Sequence, residues 1–462
     1  MKTDKKNKNI LFESDWLASE PYFYSTETGT SSLNINDVID SIGVKSLDAE
    51  GTYNFLDFGY SVFNQTPVSG VKFLPPASKL IKNKNGLFEV ETKTDPINQW
   101  LEYSLKEKEI IELIRHRVQS WEASLPSDQE IVLPLSGGFD SRLLLWCISD
   151  KSRIRAFTYG ISNEQVLSTE VVHARALAKT FDIRWEQIEL GNFHRFLPNW
   201  YAKFGISTHA HGMYQQEFYE KIRNRLQGRK FALLSGIVGD IWAGSVPFKK
   251  INSPIDINKL GNTHGQVSKA DKLKSKFQHN LRNEFWELNK KSLQEHRFQT
   301  ITSIRFKLIL LNYLLKVPRQ FGFQSWSPFL DIDIAMAMVN LPTSRRKDRV
   351  WQRDFFVKEG LDLESKGLLS IQTNSLDFQA QKNYPVPSLD CDILSDVFNT
   401  NYIKSINNRV RITRATELQS YLLSITRFHK LFRKIGLRKD LRQQKAYTEY
   451  MYLKPIQEFL RK

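Results

Sequence analysis

The chain has 462 residues, of which 41% are hydrophobic and 12% aromatic, and its formal net charge is +16. This composition excludes a disordered chain, and the length allows two or three domains with a large core. No apolar run approaches the ~20 residues of a membrane span, and no apolar segment of the signal-peptide type follows the charged start. The two cysteines, Cys147 and Cys391, lack metal-ligand spacing, so we expect a cytoplasmic protein with reduced thiols.

The first 97 residues predict a small β-rich unit. Phe55–Phe63 is aromatic and alternates imperfectly between apolar and polar residues, and Thr66–Pro76 is rich in turn-forming residues. Lys79–Glu91 predicts a hairpin with Asn85 and Gly86 at its tip. Chemistry alone indicates no catalytic constellation in this unit.

A strand, a glycine turn and a helix follow one another in the centre of the chain. Leu101–Ala123 first predicts an amphipathic helix. Ile131–Leu135 is a short apolar run that stops at a Ser-Gly-Gly turn, which is typical of a buried strand, although Pro134 cannot donate to a ladder. Arg142–Ile148 is mostly apolar and predicts the first turns of a buried helix.

The turn between them, S-G-G-F-D-S at residues 136–141, has the chemistry of a phosphate cradle. The first amides of a helix lack partners, and the helix dipole favours negative charge there. Gly137 and Gly138 allow a phosphate to approach the backbone, and the hydroxyls of Ser136 and Ser141 can donate to it. Asp140 would repel a bare phosphate, so we expect it to bind a magnesium ion that bridges the phosphates. The alternative is a plain turn capped by serine, but the complete hexamer is far more specific, and it lacks the G-K-[ST] ending of a Walker loop.

Strands and helices then alternate. Arg153–Gly160 predicts a strand, Ser168–Phe181 a helix and Arg184–Leu190 another strand. Such alternation implies right-handed crossovers and a parallel sheet with helices on both faces. Ligands of such sheets bind at the carboxyl ends of the strands, where the 136–141 turn lies. We therefore expect an α/β fold with its binding site at that edge.

A second glycine-rich turn carries another aspartate. Phe231–Gly244 predicts an apolar strand that ends in a turn with Asp240. Asp140 and Asp240 at one edge of the same sheet would hold one or two magnesium ions, whereas Asp240 on its own would be an ordinary turn residue. His209 and His211 flank a single residue, but nothing nearby completes a metal site, so we expect a structural role for both.

The rest of the chain is less regular. Residues 249–300 are charged and turn-rich and predict an exposed insertion or a mobile loop. Helices are predicted at Ile304–Leu315 and Ile332–Leu341, on either side of the turn Phe321–Asp331. From Lys404 to Lys462, 15 Lys and Arg against 4 Asp and Glu give a net charge of +11. This tail either faces an anionic partner or consists of solvated helix faces.

Three motifs resemble, in order and spacing, the synthetase domain of the asparagine synthetase family, a branch of the ATP-pyrophosphatase (PP-loop) superfamily. They are L-S-G-G-F-D-S at 135–141, L-S-G-I-V-G-D at 234–240 and F-G-F-Q-S-W-S-P-F-L-D at 321–331. The resemblance covers about residues 100–360. It implies a ligase that uses ATP and Mg²⁺ to adenylate a substrate carboxylate, releases pyrophosphate and transfers the acyl group to ammonia or an amine.

The site residues that the resemblance implies fall in or near these motifs. Asp140 and Asp240 would hold Mg²⁺, and Gln324 stands at the catalytic position of the third motif. Contacts to ATP are expected from Leu135, Ser136, Gly137, Gly138, Asp140, Ser141, Thr158, Gly160, Ser235, Gly236 and Gly239. The cation that would stabilise the acyl-adenylate is left open among Arg345, Arg346, Lys347, Lys358 and Lys382.

The chain departs from the family pattern at several positions. Gln324 replaces a glutamate, Trp326 replaces an arginine, and Ile241 stands where an acidic residue often follows the Gly-Asp pair. A bulkier or amine-bearing acceptor, or a carboxylate other than that of asparagine formation, would fit as well. Phe55–Ile81, which contains T-P-V-S-G-V-K-F-L-P-P-A-S-K-L, resembles the last part of the family's glutaminase domain, which uses an N-terminal cysteine. Since Lys2 stands there instead, the resemblance implies a truncated, inactive glutaminase-like domain.

These inferences divide the chain into a glutaminase-like domain at 1–97, an ATP-binding domain at 98–403 and a basic helical extension at 404–462. The expected partners are ATP, a small-molecule or carrier-linked carboxylate, a separate amine or ammonia donor, an anionic surface for the tail, and a second copy of the chain. Two other interpretations stay open. The basic tail favours a tRNA- or RNA-modifying enzyme of the same superfamily, which the P-F-L-D motif opposes. The substitutions in the second and third motifs favour a catalytically degenerate scaffold, which the intact 136–141 loop opposes.

Overall fold

The N-terminal unit is built from two small antiparallel sheets. The computed structural model describes residues 9–83, 85–226, 231–261, 270–424 and 441–462. The described strands of this unit are β1 (Asn9–Glu13), β2 (Phe23–Ser25), β3 (Ser31–Ser32), β4 (Val71–Phe73), β5 (Ser78–Lys82) and β6 (Phe88–Thr92). They form sheets of order β1-β5-β6 and β3-β2-β4. Strands β5 and β6 pair from Ser78↔Thr92 to Lys82↔Phe88, which confirms the predicted hairpin.

Two helices accompany these sheets, α1 (Ile35–Ile39) and α2 (Ala49–Phe58). The second replaces the extended backbone expected around Phe55, so the aromatic alternation predicted the wrong element. Asp48 caps the helix by accepting a hydrogen bond from the Gly51 N–H at 2.6 Å, and Gly59 ends it at φ +86°. Most side chains of α2 are buried, so no polar face reveals the helical period in the sequence.

A parallel sheet forms the centre of the described chain. Its five strands are β7 (Ile131–Pro134), β8 (Ile154–Thr158), β9 (Arg184–Gln187), β10 (Phe231–Leu234) and β11 (Phe323–Trp326). Their order is β11-β10-β7-β8-β9, and every neighbouring pair is parallel. The predicted parallel α/β sheet is therefore confirmed. Strand β11 lies in a segment that the sequence predicted to be only a turn.

The remaining described helices surround this sheet. They are α3 (Ile97–Trp100), α4 (Glu107–Ser124), α5 (Phe139–Cys147), α6 (Thr169–Phe181), α7 (Leu197–Phe204), α8 (Tyr214–Leu226), α9 (Asn258–Gly261), α10 (Asn280–Asn289), α11 (His296–Leu311), α12 (Tyr313–Gln320), α13 (Ile332–Val339), α14 (Thr343–Arg346), α15 (Val350–Lys358), α16 (Leu376–Asn383), α17 (Cys391–Leu394), α18 (Thr400–Val410), α19 (Arg414–Ser424) and α20 (Leu441–Leu460). Helix α4 starts later than predicted, because the Glu109 carboxylate reaches back to accept the Lys106 N–H at 2.7 Å. Helix α5 starts earlier than predicted, so Asp140 and Ser141 lie in its first turn.

Successive residues of the central strands contribute to two different cores. Ile131 and Leu133 of β7 belong to a core that includes side chains of α4, α5 and α13. Val132 belongs to a second core that includes side chains of α7, α8 and α20. Because side chains alternate along a strand, this division places helices on both faces of the sheet, as predicted.

The order of the strands reverses between β7 and β10. From β7 the chain passes through α5 to β8 and through α6 to β9, always to one side. Strand β10 then returns to the other side of β7, and β11 is added beyond it. The loops that follow β7 and β10 therefore diverge and open a crevice at the carboxyl ends of the strands. The first two motifs of the sequence meet in this crevice.

The segment at 249–300 was predicted to be an exposed insertion, and this prediction is wrong for the part that the structure describes. Ile251, Ile257, Leu260 and Leu293 are all buried, and the segment contributes α9, α10 and the start of α11. These apolar side chains are scattered among polar and charged residues, so the sequence shows no period that would indicate burial. Residues 262–269 of this segment lie outside the described residues.

Helix α20 reaches the same core as the N-terminal unit. Tyr450, Met451 and Tyr452 are buried there with Phe55. His209 stacks on Tyr452 with ring centroids 5.2 Å apart, in keeping with a structural histidine. The boundary at residue 404 stays a prediction, and the most basic part of the tail, residues 427–439, lies outside the described residues. Among the described helices, none combines the length and apolar character needed to cross a bilayer.

Candidate functional site

The turn after β7 exposes backbone amides at the start of a helix. Gly137 has φ +72°, and a Cβ there would lie 2.3 Å from the Cβ of His173, so only glycine fits. Gly138 is the N-cap of α5, and no side chain caps that end. Its N–H donates to the hydroxyl of Ser136 at 3.3 Å. The helix therefore begins with amides that no capping side chain occupies, as an anion site requires.

The two serines of the loop hold each other in place. Ser141 Oγ accepts from the Ser136 N–H at 3.3 Å, donates to the Gly138 carbonyl at 3.2 Å, and lies 3.3 Å from Ser136 Oγ. Ser141 is buried, whereas Ser136 and Gly138 are exposed. One face of the loop is thus fixed inside the protein and the other is open to a ligand.

Arg142 holds the loop from the inside, a role that the sequence did not indicate. Its side chain is completely buried. The guanidinium donates to the Gly137 carbonyl at 2.7 Å, to the Leu361 carbonyl at 3.0 Å and to both carboxylate oxygens of Glu364 at 2.9 and 3.0 Å. Because this bidentate pair fixes the guanidinium, it also fixes the Gly137 peptide and leaves the amides of the turn for the open face.

The structure brings the second motif directly onto the first. A Cβ on Gly239 would lie 2.9 Å from Asp140 Cγ, and a Cβ on Gly236 would lie 3.2 Å from Asp140 Cβ. Ser235 donates its N–H to the Trp326 carbonyl of β11 at 2.8 Å. The backbone of residues 235–239 thus packs against the first turn of α5, and this contact brings Asp140 and Asp240 together.

Asp140 lies in an environment that disfavours its charge. Burial, followed by the charge of Asp240, raises the pKa of Asp140 to about 8, and the Arg349 guanidinium opposes this shift. Asp140 Oδ1 is buried, and no hydrogen bond from the described residues reaches it. Two carboxyl groups that repel each other, one of them with an unsatisfied oxygen, are the arrangement that a bound cation relieves.

The residues present fit a magnesium ion. Asp240 Oδ2 accepts a hydrogen bond from Ser245 Oγ at 3.0 Å and keeps its other oxygen available. In the described part of the chain, no third His, Cys, Asp or Glu joins the two aspartates. Mg²⁺ is commonly bound by one or two carboxylates, with phosphate oxygens and waters as its other ligands. Asp140 and Asp240 would therefore hold it together with a bound triphosphate.

The residues expected near the adenine lie at the ends of β7 and β8 but are engaged within the protein. Leu135 donates its N–H to the Phe157 carbonyl at 2.9 Å. The buried Thr158 hydroxyl donates to the Leu135 carbonyl and accepts from Trp185 Nε1 at 2.9 Å. A Cβ on Gly160 would lie 2.2 Å from the Gln165 carbonyl, so this glycine serves its own loop. Their contact with ATP stays a prediction.

Gln324 is not brought to the crevice. It is the second residue of β11, pairs with Ala232 of β10, and its side chain accepts a weak hydrogen bond from Gln129 at 3.4 Å. Gln129 precedes β7, so Gln324 lies toward the amino end of the sheet, whereas Asp140 and Asp240 follow the carboxyl ends of β7 and β10. Its position in the motif predicted a site residue, but the register of β11 directs the side chain elsewhere.

The five cations that the sequence left open differ in their ion pairs and in their burial. Arg345 is paired with Glu107 and Asp354, and Lys382 is paired with Glu417. Lys347 and Lys358 are exposed, whereas Arg346 is buried.

A sixth cation, Arg349, acts on Asp140, and the sequence did not single it out from the basic stretch at 343–358. Asp348 and Arg349 are consecutive left-handed residues with φ +53° and +56°. This bend sets the Arg349 guanidinium 4.6 Å from the centroid of the Phe139 ring and near enough to Asp140 to lower its pKa. Nothing in the basic run of the sequence separates Arg349 from its neighbours, because the left-handed pair is not readable from residue types.

A separate cavity of about 180 Å³ lies between the N-terminal unit and helices α10 and α11. Phe63, Phe285, Phe298 and Phe306 line it, together with the ion-paired Arg305. None of the motif residues lines this cavity, so we do not assign it to the nucleotide site.

Comparisons with known proteins give one family. No curated protein matches the chain. One similar solved structure is the NH3-dependent NAD synthetase of Campylobacter jejuni subsp. jejuni NCTC 11168 in complex with the nitrate ion, at 14% identity and a TM-score of 0.23, covering 44% of this chain and 94% of that one. The profile of the asparagine synthase family matches residues 114–356, which is 243 of the 462 residues. The chain belongs to the asparagine synthase family.

Proposed function

We propose that the protein adenylates a substrate carboxylate with ATP and transfers the acyl group to an amine or to ammonia. Its family gives ATP-dependent amidating ligase as the general class of activity. The observation that carries the proposal is the meeting of the uncapped start of α5 with Asp140 and Asp240, where the strand order reverses. Each of these features favours a metal-bound polyphosphate over other ligands.

The residues of the crevice would divide the work of adenylation. The amide of Phe139, in the uncapped first turn of α5, and the Ser136 hydroxyl would bind the pyrophosphate part of ATP. Mg²⁺, held by Asp140 and Asp240, would supply charge neutralisation when bound. Arg349 would add a positive charge on the same side. A carboxylate oxygen of the substrate attacks the α-phosphorus, the bond to the bridging oxygen of pyrophosphate breaks, and an acyl-adenylate and pyrophosphate result.

The nitrogen would come from outside this chain or from the substrate itself. Cys147 is buried, and burial raises the pKa of its thiol far above the usual range, so it cannot act as an exposed nucleophile. The other cysteine, Cys391, begins the short helix α17 in the C-terminal half. We therefore propose that the enzyme does not hydrolyse glutamine, and that an amine or ammonia displaces AMP from the acyl carbon and loses a proton.

The test is Mg²⁺-dependent exchange of labelled pyrophosphate into ATP, screened with pools of carboxylic acids. Wild type is compared with Asp140→Asn and with Asp128→Asn, a matched control at an exposed carboxylate before β7. We expect exchange with one pool in wild type and in Asp128→Asn, and none in Asp140→Asn. The proposal would be overturned if wild type showed no exchange with any pool and Asp140→Asn bound ATP as tightly as wild type.

A further inference from the structure

Helix α11 carries a polar stripe beside the Asp240 turn that has no role so far. Gln299, Ser303 and Lys307 are spaced four residues apart and therefore lie on one face of the helix. The Gln299 side chain accepts from the Lys249 N–H at 3.0 Å and donates to the Lys249 carbonyl at 2.8 Å. The helix also packs against the wide turn Ile241–Ser245. The stripe thus faces the segment that begins with Asp240.

Lys307 is a cation without a partner at this position. Its side chain is largely buried, and burial lowers the pKa of its amine to about 8 against the opposing effect of Asp240. Within the described chain, no hydrogen bond or ion pair reaches Lys307, although the Asp240 carboxylate is near enough to act on it. A lysine held this way lacks the acceptor that would satisfy its ammonium group.

Two further donors on the same side are unsatisfied. Ser303 is 1% exposed, and its hydroxyl has no partner among the described residues. Arg346 is 2% exposed, and in the same part of the chain its Nε and Nη2 have none either. Arg346 reaches the stripe through His296, the first residue of α11, whose Nδ1 lies 3.3 Å from Nη1.

Arg346 differs from the other fully buried arginines. Arg142 is paired with Glu364 and Arg282 with Asp57, whereas no carboxylate among the described residues pairs with Arg346. A buried guanidinium without an anion is costly. Since Lys307 and the free nitrogens of Arg346 are all positively charged donors, we expect their ligand to be an acceptor with negative charge.

We infer that Lys307, Ser303 and Arg346 form a subsite for a carboxylate group of the substrate. This inference rests on the proposed function, because adenylation requires a carboxylate beside the metal and the phosphates. The phosphates have their own cradle on the loop at 136–141, and a guanidinium with two free donors matches the two oxygens of a carboxylate. Lys307, which is partly exposed, would be the point at which the anion enters.

The experiment measures binding of malonate to the full chain by calorimetry, without nucleotide. The variants are Lys307→Met, which keeps the apolar stem, and Ser303→Ala. The control is Lys316→Met, since Lys316 is also largely buried with a lowered pKa of about 8 but donates to the Leu33 carbonyl at 2.8 Å. Circular dichroism of each variant verifies the fold.

We expect saturable binding in wild type and in Lys316→Met, and a loss of affinity of about tenfold or more in Lys307→Met. A wild type that does not bind malonate, or a Lys307→Met protein that binds it equally well, would overturn the subsite. Because no ATP is present, malonate binding that depends on Lys307 supports the subsite even if pyrophosphate exchange is never observed. In that case the proposed reaction fails and the anion site stands.

Discussion

Gly239 offers the sharpest test of the contact that joins the two aspartate turns. In Gly239→Ala the new Cβ would lie 2.8 Å from the Phe329 ring and 2.9 Å from Asp140 Cγ. Phe329 is completely buried and cannot move away, so Asp140 must shift. Inserting a methyl group into such a packed place costs about 1–3 kcal/mol of stability. A catalytic group displaced by about 1 Å loses on the order of 100-fold in rate.

Two measurements on the same protein separate these effects. Urea denaturation gives the loss of stability, and Mg²⁺-dependent ATP–pyrophosphate exchange gives the loss of turnover. Gly43→Ala is the control, because nothing lies within 4 Å of its Cβ position. We expect exchange in Gly239→Ala to fall far more than its stability explains. If exchange persists at the wild-type rate in a protein with reduced stability, the position of Asp140 does not govern the reaction.

Three other predictions concern charged or titratable side chains. Arg282 lies 2.7 Å from the buried Asp57, so Arg282→Met should lower the free energy of unfolding, measured by urea denaturation, by about 3–5 kcal/mol. Adding Asp57→Leu should restore much of this loss. A double variant as unstable as Arg282→Met would contradict the pairing. Burial lowers the pKa of His211 from 6.5 to about 4, so the folded state binds fewer protons than the unfolded state between these values. The free energy of unfolding should therefore fall as pH drops from 6.5 to 4, and His211→Phe should flatten this dependence in urea titrations; an unchanged slope would contradict it. Arg349→Gln should raise the KM for ATP about tenfold while exposed Arg353→Gln does not, and equal values in both variants would remove Arg349 from the site.

The sequence predicted those parts of the site whose signals lie in short, continuous stretches. An apolar run followed by a glycine turn marks β7 and β10 in the sequence, and the alternation of strands and helices predicts that they are parallel. Parallel strands end at the same edge, so Asp140 and Asp240 could be placed together without coordinates.

The rest depends on tertiary structure that residue types do not encode. Gln324 looked functional by its motif, but the pairing of β11 with β10 places it toward the amino end of the sheet. The sequence predicted Arg142 only as the start of a buried helix. Its role in holding the loop depends on Glu364, which lies more than 200 residues away in the sequence. Arg349 owes its position to two left-handed residues, and the aromatic side chains of α20 fill the core from a tail whose net charge suggested an exposed surface.

The burial of α20 has a consequence for synthesis of the protein. Tyr450, Met451 and Tyr452 belong to a core whose other side chains include Phe55, so this apolar surface of the N-terminal unit is covered only after Tyr452 has been made. During translation, which proceeds at about 5–20 residues per second, that surface stays open to wrong contacts for tens of seconds. We therefore expect the newly made chain to depend on chaperones that bind exposed apolar segments. A product that ends before Tyr450 would lack these side chains of the core, and such a product should be degraded quickly.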